Sequence, residues 1–305
     1  MKILITDGLS PDGVKILTDT GFQVENVKLT PEDLLKKIGD YDSIIVRSAT
    51  KVTKEVIEAG KNLKVIARGG VGVDNIDVEY AKSKNIPVLN TPMASAISVA
   101  ELTIGHMLAV CRFLNVSTME MRRGKWPKKE FSNGIELYEK TLGIIGLGNI
   151  GKEVARRALG LGMKVVAYDP PLAPMDFMVE ITSKEKLLAK ADFITLHLPK
   201  IKGAAPAIGK KEFEMMKKGV VLINCARGGL IDESALLDAL NSGKVAAAAL
   251  DVFENEPPTE AQNALINHPG VSVTPHIGGS TVEGQARVGT EIAYKVVKAL
   301  LQSHE

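Results

Sequence analysis

The sequence predicts an α/β protein built from two doubly wound parallel sheets. Three observations carry that prediction. Short apolar runs recur at helix-sized intervals along the chain, which is the pattern of parallel β/α units. One run passes directly into Gly146-x-Gly148-x-x-Gly151 and then into a helix-forming stretch. About 140 residues precede that motif and hold five apolar runs of their own, enough chain for a second sheet.

Ile3 to Ile5 is the first strand, and Met1 to Asp7 has no basic and apolar leader before it, so no signal peptide is expected. Ser10-Pro11-Asp12 supplies an N-cap with Pro at the first helical position, and Gly21 closes that helix. Phe22 to Val27 is the next strand, and Thr30-Pro31-Glu32-Asp33 starts a helix in the same way. Ser43 to Val46 is a buried-type strand that ends on Arg47-Ser48-Ala49-Thr50. Leu63 to Ala67 is another, ending on Arg68-Gly69-Gly70-Val71-Gly72. Ile86 to Leu89 is the fifth, before the turn Asn90-Thr91-Pro92. Ligands of open α/β sheets sit beyond the carboxyl ends of the strands, so the loops from Arg47 and Arg68 are site candidates.

Ser98-Val99-Ala100-Glu101 has the spacing of a capping box and predicts a helix to about Val116, crossing into the second sheet. Met119 to Trp126 reads as a further helical stretch. Its tail is basic and holds the single Trp; the lysines read as a solvated loop, and the indole of Trp126 is expected to be covered.

Thr141 to Ile145 is the strand that feeds the glycine motif, and Lys152 to Leu159 is the helix it opens. Gly146 allows a tight turn, Gly148 brings bare backbone to a pyrophosphate, and Gly151 lets helix and sheet pack closely. The helix N-terminus adds unpaired N–H groups and a positive dipole end. Met163 to Tyr168 follows as a strand and ends on Asp169, 18 residues past Gly151, close to the position of a ribose-binding acid. An acid there favours a free 2′-hydroxyl, hence NAD over NADP.

Later strands are read at Ala191 to Pro199, Val220 to Asn224, Val245 to Leu250 and Val271 to Val273. Three of these ends carry one ionisable residue each: Arg227, Glu256 and His276. An Arg can grip a carboxylate through paired N–H···O bonds. A His can exchange a hydroxyl proton near neutral pH, and a Glu beside it favours its cationic form. Each alone could be structural; together, downstream of a dinucleotide motif, they form the set that a keto/hydroxy acid needs. His106, His197 and His268 lack such company and read as structural. Ser280 and Glu283 predict a capping box for a final helix to about Leu301, crossing back to the first sheet. The cleft is expected between the two domains, with hinges near Ile97 and Ser280.

Composition narrows the alternatives. The 305 residues are 45% hydrophobic and 24% charged, with a net charge of +2, so nucleic acid and membrane surfaces are not expected partners. The apolar run Ala94 to Leu114 is broken by Glu101, His106 and Arg112 and is no membrane span. Cys111 and Cys225 have no metal or redox spacing and are expected as reduced thiols in a cytoplasmic protein; no metal is expected.

The chain resembles the D-isomer-specific 2-hydroxyacid dehydrogenases along nearly its whole length. The stretches that carry the resemblance are Val46 to Thr53, Ala67 to Asn75, Asn90 to Pro92, Gly146 to Gly151, Asn224 to Gly229, Ala249 to Phe253 and Thr274 to Gly278. Within the family it is most similar to members that oxidise D-3-phosphoglycerate at the entry to serine synthesis. The resemblance implies a Rossmann NAD-binding domain, residues 98–280, inserted into a flavodoxin-like substrate domain, residues 1–97 and 281–305. It implies Arg227, Glu256 and His276 as the catalytic set. It implies NAD contacts at Gly146, Gly148, Asn149, Ile150, Gly151, Asp169, Leu198, Cys225, Ala226, Asp251, His276, Gly278 and Gly279. Arg47, Ser48, Arg68, Gly69, Gly70, Val71, Arg227 and His276 are the implied substrate contacts.

The expected substrate is a phosphorylated 2-hydroxy acid, with Arg227 on the carboxylate and Arg47 and Arg68 on the phosphate. Reduction of glyoxylate, hydroxypyruvate or another small 2-keto acid is the alternative, and an NAD-sensing corepressor-like role a third. A homodimer through the helix near Ser98, or a tetramer built from it, is also implied, with the Trp126 segment reaching toward the partner. The chain stops at Glu305, so the regulatory C-terminal extension of many relatives, and serine feedback with it, is not expected. The loop Lys200 to Ile208 departs from the family pattern, as do Val71 and Gly279.

Overall fold

The computed structural model describes residues 1–169, 177–201 and 203–302. The chain divides into two compact units, Met1–Ala96 with Gly279–Glu305, and Ile97–Gly278.

The first unit holds β1 Lys2–Ile5, β2 Gln23–Asn26, β3 Ser43–Val46, β4 Val65–Arg68 and β5 Val88–Leu89. They form one parallel sheet in the order β2-β1-β3-β4-β5, the flavodoxin-like order. The central strands β1, β3 and β4 are buried on both faces, as a parallel sheet covered by helices requires. Leu4, Ile44 and Val46 face one apolar layer, while Ile3, Ile5 and Ile45 face the other. The helices between are α1 Pro11–Asp19, α2 Pro31–Lys37, α3 Lys54–Ala59 and α4 Val78–Ser83. Ser10 and Thr30 cap α1 and α2 by accepting from Gly13 and Asp33 N–H, each followed by Pro.

The second unit holds β6 Thr141–Ile145, β7 Lys164–Tyr168, β8 Glu180–Ile181, β9 Phe193–Leu196, β10 Val220–Asn224, β11 Val245–Leu250 and β12 Val271–Val273. All pair in parallel, in the order β12-β11-β10-β9-β6-β7-β8. Numbered within the unit this is the 3-2-1-4-5-6 Rossmann order with one more strand, and strand order reverses between β6 and β9. Its helices are α5 Ala96–Cys111, α6 Leu114–Arg122, α7 Asn149–Gly160, α8 Lys184–Lys190, α9 Lys210–Met215, α10 Glu233–Asn241 and α11 Asn263–Ile266. The last helix, α12 Val282–Gln302, belongs to the first unit, where Ile292, Ala293, Val296 and Leu300 cover the Ile3 face of the sheet.

The structure departs from expectation in local detail. α5 begins at Ala96, not after Ser98, and Ser98 lies buried inside the helix. The Ala96 N–H bonds the Met93 carbonyl, so the turn before Ser98 has already started the helix. The expected run to Val116 is interrupted at Phe113, which takes a left-handed φ of 55°. Its ring packs on Phe131 at 5.5 Å, a contact that offsets the cost of that conformation. α6 ends at Arg122 and is closed off by Gly124, φ 77°, after which the Lys125 N–H returns to the Glu120 carbonyl. Trp126 therefore lies past the helix and is 76% exposed on the single chain. The cap of α12 is Thr281, whose hydroxyl accepts from Gly284 N–H, rather than Ser280. β8 carries no apolar alternation and was not expected. Lys202 and Glu305 lie outside the described residues. Among the described residues no single helix is long and apolar enough to cross a membrane.

Candidate active site

The site of the second unit begins at the glycine loop between β6 and α7. Gly146 has φ 97°, and a Cβ there would stand 2.6 Å from the His197 carbonyl oxygen. At Gly151 a Cβ would stand 2.1 Å from the Gly146 carbonyl oxygen. Both positions admit only glycine. Around Gly148 a Cβ would meet nothing within 4 Å, so backbone is open to an approaching group. α7 starts at Asn149 and Ile150 and presents its first N–H groups at this loop. Asp169, just past β7, accepts the Leu147 N–H at 2.7 Å through Oδ2 and so ties the acid to the loop. Bare backbone, a helix N-terminus and an acid at the next strand end fit a dinucleotide. Gly146 to Gly151 would hold the pyrophosphate and Asp169 the ribose hydroxyls.

The next strand ends frame the same edge. Leu198 follows β9 and is half-buried, with its Cδ2 3.0 Å from the Cβ position of Gly146. Cys225 and Ala226 follow β10 and are buried. Burial pushes the Cys225 thiol up to about 12, although a bond with Thr103 opposes it. Asn224 shapes this turn, accepting from Ala226 N–H at 3.1 Å and donating to the Arg227 carbonyl at 2.9 Å. The Arg227 guanidinium donates to the Ala226 carbonyl at 2.7 Å.

Glu256 and His276, from the loops after β11 and β12, meet directly: Nδ1 of His276 is 2.6 Å from Oε2 of Glu256. Oε1 of Glu256 accepts the Phe253 N–H at 3.1 Å. Burial pushes the Glu256 carboxyl up, but the bonds from His276 and Phe253 and the charges of His276 and Arg227 outweigh it, and the group lies below its ordinary value. The structure thus brings all three expected residues within one electrostatic neighbourhood. With Nδ1 engaged, Nε2 is the ring nitrogen left for a substrate, and the side chain is 45% exposed.

His276 has a left-handed φ of 53°. Asp251 holds it there. The Asp251 carbonyl accepts the His276 N–H at 2.8 Å, Oδ1 accepts the Ile277 N–H at 2.8 Å, and Oδ2 accepts the Gly278 N–H at 2.8 Å. Asp251, expected as a cofactor contact, is thereby an organiser of the loop that carries the imidazole. Gly278 is buried beside it, and Gly279 begins the returning segment of the first unit.

In the first unit, Arg47, Ser48, Arg68, Gly69, Gly70 and Val71 leave the adjacent strands β3 and β4. Asp7, past β1, accepts the N–H groups of Arg47 and Thr50 at 2.7 and 3.0 Å and the Thr50 hydroxyl at 2.6 Å. Asn75 donates to the carbonyls of Arg47 and Thr50 at 2.8 and 2.6 Å. Arg68 donates from Nε to the Arg47 carbonyl at 3.1 Å and from its guanidinium to the Gly72 carbonyl, so it shapes both loops. Burial lowers the Arg47 guanidinium, against the Asp7 charge, and its Nε is buried without a partner. β1 and β3 bracket the point where strand order reverses, where sheets of this type bind ligands. Sequence reasoning passed over Asp7 and Asn75; the strand-end rule that found Arg47 applies to Asp7 equally.

The chain is similar to known proteins in sequence and in fold. Residues 104–278 match the family model of the D-isomer specific 2-hydroxyacid dehydrogenase NAD binding domain. The chain is 51% identical over 304 residues to D-3-phosphoglycerate dehydrogenase of Methanocaldococcus jannaschii, covering 98% of this chain and 57% of that protein. It thus spans little more than half the length of that relative. It is 49% identical over 301 residues to hydroxypyruvate reductase of Thermotoga maritima, covering 98% of both. Among solved structures, D-lactate dehydrogenase from Aquifex aeolicus, complexed with NAD and lactic acid, superposes with a TM-score of 0.85 at 32% identity, covering 99% of this chain and 96% of that one. On its sequence, its two sheets and the loops at their edges, the chain belongs to the D-isomer specific 2-hydroxyacid dehydrogenase family.

Proposed function

We propose that this chain is an NAD-dependent dehydrogenase that oxidises D-3-phosphoglycerate to 3-phosphohydroxypyruvate. The observation that carries the reading is the 2.6 Å contact of His276 with Glu256, with Arg227 close enough to act on the same carboxyl. NAD supplies a hydride acceptor when bound. Arg227 holds the substrate carboxylate through paired, charge-assisted bonds. Nε2 of His276 takes the hydroxyl proton as the carbon gives up its hydride, and Glu256 stabilises the imidazolium so formed.

Arg47 supports the phosphorylated substrate: it is a half-buried cation whose Nε has no partner, at the reversal point of its own sheet. An unphosphorylated keto acid is the second reading, favoured by the 98% coverage of the Thermotoga hydroxypyruvate reductase. NADH absorbance with 3-phosphoglycerate, glycerate, lactate and hydroxypyruvate separates the two. Preference for glycerate or hydroxypyruvate overturns the phosphate reading and leaves the dehydrogenase reading standing. Activity with none of them overturns both.

The same proposal includes a reducing, cytoplasmic setting, in which Cys111 and Cys225 remain thiols, and a homodimer through α5 and α6. Leu114, Met119, Met121 and Trp126 are exposed apolar residues there, a patch that self-association would cover. Sedimentation velocity of the wild type and of Trp126→Ser with Met119→Ser tests it; a monomeric wild type excludes it.

A further inference from the structure

His106 lies on α5, four per cent exposed, with both ring nitrogens bonded to hydroxyls of the β12 segment. Nδ1 is 3.0 Å from Ser272 Oγ and Nε2 is 2.9 Å from Thr274 Oγ1. The neighbours determine where the protons are. Thr274 has one hydroxyl hydrogen and gives it to Asp251 Oδ1 at 2.6 Å. At its other side it can only accept, so Nε2 of His106 carries the hydrogen. A neutral ring then has a bare Nδ1, which accepts from the Ser272 hydroxyl. Ser272 Oγ accepts in turn from the Asn115 amide at 2.7 Å. Burial holds the His106 imidazole below its ordinary value, against the pull of the Asp251 charge, which keeps the ring neutral.

The result is a one-way chain of donors: Asn115 to Ser272, Ser272 to His106, His106 to Thr274, Thr274 to Asp251. It ends on the carboxylate that accepts the N–H groups of Ile277 and Gly278. Every member lies in the second unit. A structural histidine would need only a satisfied hydrogen bond. This one feeds, in two steps, the group that holds the left-handed backbone of His276.

We propose that His106 is a positioning residue: it fixes the Thr274 hydroxyl, through it the rotamer of Asp251, and through that the loop 274–278 that carries the catalytic imidazole. The catalytic consequence rests on the dehydrogenase reading above; the structural hold does not. Without the His106 donor, Thr274 is free to turn, and Asp251 loses one of the three bonds that orient its carboxylate, keeping those from Ile277 and Gly278. Placement errors of an ångström at a reacting group cost up to about a hundredfold in rate.

The test compares His106→Leu, which removes both bonds, with His106→Gln, whose side-chain amide can still donate to Thr274. Hydrogen exchange read by mass spectrometry on the full chain should quicken about tenfold in the 274–278 segment of the Leu variant, without a matching rise elsewhere in Ile97–Gly278. It should return toward wild type in the Gln variant. With whichever 2-hydroxy acid the wild type oxidises, kcat should fall about tenfold in His106→Leu, with KM for the acid little changed, and recover in His106→Gln. Unchanged exchange at 274–278 in the Leu variant overturns the proposal. So does a rise spread evenly over the unit, or a Gln variant as impaired as the Leu one. If the wild type oxidises no 2-hydroxy acid, the dehydrogenase reading fails, and the exchange pattern alone decides whether His106 holds the loop.

Discussion

Nδ1 of His276 and Oε2 of Glu256 are 2.6 Å apart, and the second Glu256 oxygen is anchored on the Phe253 N–H. One acid thus orients the imidazole while the backbone orients the acid. Three protonation or charge effects follow from contacts of this kind, and one from a buried imidazole elsewhere in the second unit.

His276→Ala is expected to lower kcat by roughly 10²–10⁴, the usual worth of a positioned acid–base group. Glu256→Gln removes the anion that favours an imidazolium partner, so its pH–rate profile should shift toward lower pH. Stability follows the same contact. The folded Glu256 carboxyl lies below its ordinary value of 4.5, so its contribution is present above that value and lost as pH falls through the lower folded one. Melting temperatures of wild type and Glu256→Gln should differ at pH 7 and converge below pH 4.5. Superimposable pH–rate profiles would remove the pairing from the mechanism.

Asp169 accepts the Leu147 N–H, and the proposed NAD reading gives its charge a second task, repelling a 2′-phosphate. Asp169→Asn keeps an acceptor and loses the charge; Asp169→Ala loses both. Wild type should prefer NAD in kcat/KM. The Asn variant should accept NADP better with little change in melting temperature, whereas the Ala variant should also be less stable. A wild type that prefers NADP defeats the assignment.

Arg47 and Arg68 are distinguishable by what each already holds. Arg68 donates to the carbonyls of Arg47 and Gly72, so Arg68→Ala should raise KM for any 2-hydroxy acid by loosening both loops. Arg47→Ala should raise KM for 3-phosphoglycerate by about 10–100-fold, the worth of one or two hydrogen bonds to a charged group, and leave glycerate nearly unaffected. Equal losses for both acids in Arg47→Ala would count against a phosphate contact.

His197 should make the chain acid-sensitive. It is half-buried, with Nδ1 buried and without a partner among the described residues and Nε2 bonded to Thr195 Oγ1 at 3.0 Å, and burial pushes it from 6.5 down to about 3. The unfolded chain therefore binds a proton here that the folded chain refuses. Stability is full above pH 6.5 and falls toward pH 3, by ~1.4 kcal/mol per pH unit at most. Urea unfolding at pH 7 and pH 5 should show a smaller acid loss in His197→Gln than in wild type. Equal losses would mean that other groups carry the acid sensitivity.

Much of this protein was legible in its sequence because the causes were local. Ser10-Pro11 and Thr30-Pro31 start helices by placing a side-chain acceptor within three residues of an unpaired N–H. Gly151 is required by a contact made inside one strand–turn–helix unit and Gly146 by the positive φ of its tight turn, so their spacing announced them. Arg47, Arg227, Glu256 and His276 stand at strand ends, and the parallel order of β/α units brings such ends to one edge of each sheet. Other features were decided by packing. The S-x-x-E pattern at Ser98 lost to the turn at Met93 that had already begun α5, and Phe113 broke the helix for a ring partner at Phe131. His106 appeared solitary because its partners, Ser272 and Thr274, are 166 and 168 residues away in the chain. Which strand lies beside which, and hence which distant hydroxyl meets which imidazole, depends on burying the whole apolar surface at once. The chain's own order of residues determined the elements and the chemistry at their ends; only the folded sheet decided which of those ends, and which buried polar groups behind them, act together.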